Sequence, residues 1–365
     1  MLTWDDLAAL SLARQLPPRP DSVGAMVAAC GPLQTQTARS AFLGLAARFP
    51  GVTHAEISAA YDDASLVRGS TIRGTVHTAT PTQFTALALA TRVGQWRRWS
   101  QQLGLTEPQI ADLWLSIEEF AGRWRTPDEL RAHQQTWLRQ HANPEAVALG
   151  ESHVGRYMPF SHGGLVRRPA SRTGWEGQGA PVYRTFNPIA APTLADVVRV
   201  HLSAHGPATR HDLAWWSGLP LTVVDEAVAE LADLTAYDGP DGRTYLDVPD
   251  PPPPFAESAH LHLLPEFDSL LCAYDPKSRG RFVTPEHHEL LWNRRNGLMR
   301  PPLLVDGRIT GHWRAAGTAR RRPLEIGWFA RTRRPRRAEL DAPIAAVEAA
   351  LDITITAVTL TRESG

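Results

Sequence analysis

The chain has 365 residues, enough for two or three domains. Hydrophobic residues make up 43% and charged residues 21%, which provides for real cores and excludes a disordered chain. The 38 Lys+Arg and 38 Asp+Glu cancel, excluding a uniformly basic nucleic-acid coat protein while leaving room for a local basic face.

Helical patterns at 4–15, 21–30 and 54–64 come first in the chain. They precede SLVRGSTIRGTVHTA (65–79), which reads as paired strands with a turn near Gly69–Ser70. At 126–131 TPDELR fits a capping box of Thr126 and Glu129, with Pro127 at the first helical position. GGLVRRP (163–169) and PVYRTF (181–186) read as the two strands of a wing. A weak internal repeat then places TRHDL at 209–213, with Thr209 as cap and Asp212 in the first turn. A helix through Trp216 is broken at SGLP (217–220), and another runs from Leu221 to about Leu234. DGPDGRTYLDV (238–248) follows as a hairpin. Helix, turn, helix and hairpin make a winged helix.

The DPPPP run at 250–254 reads as a linker. Beyond it HLHLLP, PLLVDGRITGHWR and ITITAVTL predict strands, and 338–351 predicts a helix. The expected fold is therefore α+β: tandem winged-helix units at 1–100, 101–190 and 191–250, then an Arg-rich α/β region at 255–365. From Lys277 to Arg337, fifteen Arg and one Lys face only Glu286, Glu289, Asp306 and Glu325. Such a segment predicts a surface for polyanions, or else arginines paired with acids elsewhere in the fold.

Lys277 is the only lysine; the other basic residues are Arg, whose planar fork grips phosphate and never titrates. Schiff-base chemistry would fall to Lys277 or the N-terminal amine. Cys30 and Cys272 lack metal-ligand spacing, and the fourteen His include no H-E-x-x-H pair, so no metal or cofactor is expected. The start MLTWDDLAAL carries acids where a signal peptide would be basic, and no run of about 18 apolar residues appears. The expectation is a soluble, cytoplasmic chain that has no membrane partner.

The most informative short segment is CGPLQTQTARS (30–40). Gln34 and Gln36 would share one face of a strand, or could both reach into a cleft from a helix start. Their amides can hold a water in a fixed orientation, or simply cap the next helix.

QTQ, RGTVHTAT (73–80), GPATRHDLAWWSGL (206–219), LLPEFDSLLCAY (263–274) and LLVDGRITGHWR (303–314) occur in that order. Together they resemble the AlkZ/YcaQ-like winged-helix DNA glycosylases over roughly residues 3 to 360, nearer the AlkZ branch. The resemblance implies tandem winged helices around a concave DNA-binding cleft. It also implies a monofunctional glycosylase for alkylated purines, notably bulky N7-alkylguanines, in repair or in self-resistance to a DNA-alkylating natural product. Gln34 and Gln36 match the outer positions of the family's Gln–aliphatic–Gln signature. Thr35 replaces the aliphatic centre, and its hydroxyl needs a partner if buried.

An N7-alkylguanine is already cationic and leaves as a neutral base, so placement of water is the chief demand on the enzyme. With Lys277 reading as part of a phosphate-binding turn, lyase activity is not expected. Arg73, His77, Arg97, Arg98, Arg167, Arg168, Lys277, Arg279 and Arg281 are the DNA-contact candidates, though Trp96 and Trp99 around Arg97–Arg98 have core spacing. Glu266 and Asp268 read either as stabilisers of an oxocarbenium ion or as a structural turn. Trp215 and Trp216 are expected in the core of the third unit. The expected partner is double-stranded DNA containing alkylated purines, engaged by a nucleoid-associated monomer with no obligate protein partner. The rival expectation is a winged-helix DNA-binding protein without catalysis, either a regulator or an architectural factor.

Overall fold

The structure, a computed structural model, describes residues 1–253, 255, 261–293, 297–317 and 319–363. Pro254 and His260, which fall in the expected linker and first C-terminal strand, lie outside the described residues. The fold is α+β. Among the described residues no helix is long and apolar enough to cross a membrane.

The helix Pro81–Leu103 organises the first half of the chain. Thr80 caps it in a box with Gln83, Pro81 opens it, and Gly104 ends it in the left-handed conformation. Its first turns bury Phe84, Leu87 and Ala90 in one core, and its last turns bury Trp99 and Leu103 in a second, so one rod ties two cores together.

Five strands form a sheet in the order Leu33–Gln34, Val76–Ala79, Val67–Ser70, Leu165–Pro169, Pro181–Thr185. The strand pairs expected as separate wings of units 1–100 and 101–190 thus share one sheet. The turn also differs from expectation. Gly69 and Ser70 lie within a strand, and the chain reverses at Ile72–Gly74, where Arg73 and Gly74 take φ of 55° and 71°. Gly69 is required by close approach: a Cβ there would lie 2.5 Å from the Leu165 carbonyl oxygen and 2.7 Å from Phe84.

Helices Leu194–His205, Arg210–Ser217 and Leu221–Ala229 precede the hairpin Thr235–Asp238/Thr244–Asp247. The last of these helices stops five residues short of Leu234, at a Glu230 cap. Thr126 closes the expected capping box with Glu129, and Thr209 caps its helix as expected, with Asp212 completing a box there as well.

The C-terminal sheet runs Thr354–Arg362, Arg321–Trp328, Arg308–Ala315, Pro302–Val305, Leu261–Leu263. Its one parallel pair, 321–328 with 354–362, is joined through the helix Asp341–Leu351, as a parallel crossover requires. That helix packs on Ser40–Arg48, and Leu43 and Ala346 sit in cores built from both ends of the chain. A buried ionic latch reinforces this closure: Arg48 meets Asp268 at 2.9 and 3.0 Å and the side-chain Oε1 of Gln15 at 2.7 Å.

Much of the basic C-terminal segment is neutralised within the fold. Arg308 pairs with Asp5, Arg314 with Glu325, Arg320 with Asp352, Arg333 with Asp306 and Glu339, and Arg337 with Asp341. For these arginines the pairing alternative prevails over the free polyanion surface.

Candidate active site

Gln34 lies on the edge strand of the five-stranded sheet, opposite His77, and the Thr35 N–H donates to the Val76 carbonyl at 2.7 Å. Leu33 and Thr35 are buried, Gln34 at the end of the strand is half-buried, and Gln36, in the bend that follows, is exposed. The buried Thr35 hydroxyl has its partner. It accepts from Thr78 Oγ1 at 3.4 Å, and Thr78 in turn bonds the Tyr61 hydroxyl at 2.6 Å.

Gln34 Oε1 accepts from Arg73 Nη2 and Gln36 Oε1 from the Val76 N–H, each at 3.4 Å. Both contacts are long, and each carbonyl keeps a second lone pair for a water proton. Arg73 is itself anchored. Its Nη1 donates to the carbonyls of Trp215 (3.1 Å), Trp216 (2.8 Å) and Cys272 (3.4 Å), the first two in the last turn of helix Arg210–Ser217. A cation there complements the orphan carbonyls and the negative end of the helix dipole. Burial lowers the Arg73 pKa, and Arg279 lowers it further, while Cys272 opposes the shift.

His77 is enclosed beside this strand. Burial pushes its pKa down to about 3, with Arg73 adding to the shift, so the ring is neutral; Nδ1 is bonded to Thr71 Oγ1 at 2.8 Å. Trp216 is buried as expected, but Trp215 is 44% exposed, a correction to its assignment to the core. The Arg279 guanidinium lies 5.2 Å from the Trp215 ring centroid. Successive helical residues diverge by about 100°, so two adjacent tryptophans cannot both face one core.

A cavity of about 660 Å³ opens beside the glutamine strand at Thr37 and Arg39, lined also by Glu266, Phe267, Met299 and His312. Glu266 accepts from Arg39 and, at 3.4 Å, from Ser40 Oγ. Asp268 is occupied structurally: it pairs with Arg48 and caps the short helix Ser269–Cys272.

The DNA-contact candidates divide by burial. Arg97 and Arg98 are exposed on helix Pro81–Leu103, while Trp99, buried in the second core, donates to Ser161 Oγ at 3.0 Å. Arg167 and Arg168 are half-buried on strand Leu165–Pro169. Lys277 is exposed on a turn that Asp275 holds through the Lys277 N–H at 2.9 Å. Arg281 and His77 are enclosed and present no surface to a phosphate. Arg281 is fully buried, donating to Ser11 Oγ at 3.0 Å and to the Pro207 carbonyl at 2.9 Å. Arg73 joins Gln34 to the Trp215 backbone, and Arg279 lies over the Trp215 ring; the Arg97 and Arg167 pairs lie on other elements.

The model of the DNA glycosylase AlkZ-like family matches residues 27–350. The interstrand DNA cross-link repair glycosylase of Streptomyces sahachiroi is 27% identical over 342 residues, covering 85% of this chain and 87% of its own length. The solved Streptomyces sahachiroi DNA glycosylase AlkZ has the same fold, with a TM-score of 0.79 at 21% identity, covering 99% of this chain and 100% of that one.

Proposed function

The chain belongs to the AlkZ-like family of DNA glycosylases, and from that premise we propose that it hydrolyses the N-glycosidic bond of alkylated purines, bulky N7-alkylguanines above all. The observation that carries this reading is Gln34 at the end of the edge strand with the exposed Gln36 in the bend just beyond it, each carbonyl retaining a free lone pair. Such a pair accepts both protons of one water and points its oxygen at the anomeric carbon. The water oxygen bonds C1′ as the C1′–N9 bond breaks. The bonding electrons return to the purine, where they neutralise the N7 cation, and the water's proton passes to solvent. A base that leaves neutral needs no strong general acid, and among the titratable neighbours His77 is neutral and enclosed. An unmodified purine, a poor leaving group, would be spared.

The relative that acts on interstrand cross-links extends the proposal to cross-linked purines, in repair or in self-resistance to an alkylating natural product. The three helices and hairpin at 194–247 support a winged-helix reading of that segment. We further propose a monomer without lyase activity, working on double-stranded DNA in the cytoplasm. Arg73 then acts by positioning Gln34, and the exposed Arg97, Arg98 and Lys277 with the half-buried Arg167, Arg168 and Arg279 are the DNA contacts.

The test is release of the free base, identified by mass, from a duplex carrying N7-methylguanine or a bulkier N7 adduct, with abasic sites revealed by mild base. Wild type is expected to excise, and Gln34→Ala/Gln36→Ala to bind the duplex without excising. Excision that survives the double substitution removes the glutamines from the mechanism.

A further inference from the structure

At the edge of the sheet opposite Gln34 a groove of about 410 Å³ opens among Arg68, Trp124, Arg167, Arg168, Arg172 and Arg184. Asp62 is the one acid on its described wall, and that carboxylate already accepts from Trp175 Nε1 at 3.1 Å. None of the five arginines forms an ion pair among the described residues, in contrast to those of the C-terminal segment.

Arg68 is only 4% exposed; it donates to the Trp175 carbonyl at 2.9 Å, and its Nε is buried without a partner. The Nε atoms of Arg167 and Arg168 are likewise unpartnered. Two guanidinium groups crowd one indole: those of Arg168 and Arg184 lie 4.2 and 5.1 Å from the Trp124 ring centroid. Burial lowers the Arg168 pKa, and Arg172 and Arg184 lower it further. Confined like charges with unmet donors repel one another unless an anion joins them, and the guanidinium fork fits phosphate oxygens two at a time.

One continuous cross-strand row, Gln34–His77–Gly69–Val166–Arg184, links this groove to the glutamines. Four strand spacings make about 19 Å, equal to the rise of between five and six base pairs of duplex, roughly. We propose that the groove is a second DNA-backbone site, its Arg168 and Arg184 holding phosphodiester groups roughly four to six base-pair steps from the reacting nucleotide and so fixing the register of the duplex. Only the placement of the reacting nucleotide rests on the glycosylase reading; the binding does not.

The experiment measures affinity for an undamaged duplex of about 24 base pairs over a salt series. Each lost phosphate contact removes roughly 0.9 from the slope of log K against log salt. Arg168→Gln/Arg184→Gln is expected to lower the slope by about 2, with an unchanged urea midpoint showing that it folds. Arg168→Lys/Arg184→Lys is expected to retain the slope. The double Gln substitution is also expected to weaken binding to lesion duplexes with long flanks, and not to those with flanks of about three base pairs on both sides.

An unchanged slope in the folded Gln variant overturns the site, as does an equal loss on short and long flanks. Protection of wild type alone by inorganic phosphate, with coincident duplex slopes, makes this a small-anion site and also overturns the proposal. A lowered slope in a protein that releases no base from any adduct leaves this site standing and removes the glycosylase reading instead.

Discussion

Arg73 Nη2 meets Gln34 Oε1 at 3.4 Å while the other arm of the same guanidinium grips the carbonyls of Trp215 and Trp216. One side chain thereby ties the edge strand of the first segment to a helix end of the third. Under the proposed mechanism it fixes which atom of the Gln34 amide faces the water. Arg73→Ala is expected to slow single-turnover base release by about 10–100-fold, the scale of a misplaced reacting group, with duplex affinity nearly unchanged. Arg73→Lys is expected to rescue little, since an ammonium cannot span both partners as a planar fork does. Equal losses in affinity and rate would instead make Arg73 a DNA contact.

Thr35 occupies the place where the family resemblance expects an aliphatic residue, and the Tyr61–Thr78–Thr35 hydroxyl chain explains why it is tolerated. Thr35→Val fills nearly the same volume and leaves Thr78 still bonded to Tyr61. The cost is expected at about 1 kcal/mol, the value of one modest hydrogen bond, with base release retained. A larger loss, read from the urea midpoint, would mean that the chain orders the whole strand.

Local signals were legible in the sequence because they are decided within one turn of helix: the Thr126 box and the Thr209 cap form as expected. The box at Thr80–Gln83 carries the same signature and starts the longest helix. Pairing across the sheet was not legible. Nothing near residues 33–34 or 165–185 announces that these strands share a ladder, since their register is set by packing around Phe84 and Gly69. The glutamine pair was visible as a motif, but its brace was not, because Arg73 gains its role only from carbonyls more than 140 residues away. Arg281 misled for a related reason. An Arg in a Gly-containing turn reads as a surface residue, yet its guanidinium lies 4.3 Å from the Tyr274 ring centroid, inside the fold.

Trp215 is the exposed large aromatic residue beside the proposed site, and the Arg279 guanidinium over its ring adds a charge to a stacking plane. Stacking of an unpaired base on such a plane contributes roughly 1–3 kcal/mol. Trp215→Ala is expected to weaken binding to a lesion duplex by about 5–150-fold, which is that range expressed as affinity, and to leave the unfolding midpoint in place. A lowered midpoint with unchanged affinity would return Trp215 to a structural role.

Buried histidines, His77, His201 and His205 among them, contribute to the response to acid; His162 is buried too, its pKa lowered by burial against the pull of Glu118. Burial pushes His77 down to about 3 and His201 down to about 4, and holds His205 well below the ordinary 6.5. His201 and His205 lie with ring centroids 5.1 Å apart, so protonating one opposes protonating the other. The folded state keeps these rings neutral while the unfolded chain protonates them below about 6.5. The unfolded state therefore binds more protons throughout the window from about pH 6.5 to pH 4, and stability falls as pH falls. Each histidine contributes up to about 1.4 kcal/mol per pH unit there. Asp247, whose carboxyl burial pushes up to about 6, works in the opposite sense between its unfolded and folded values and makes the net slope shallower. The urea midpoint is expected to hold above pH 7 and to drop progressively at pH 6 and pH 5, with a shallower drop in His77→Gln. A midpoint that stays level down to pH 5 would mean that the buried rings take up protons in the folded state.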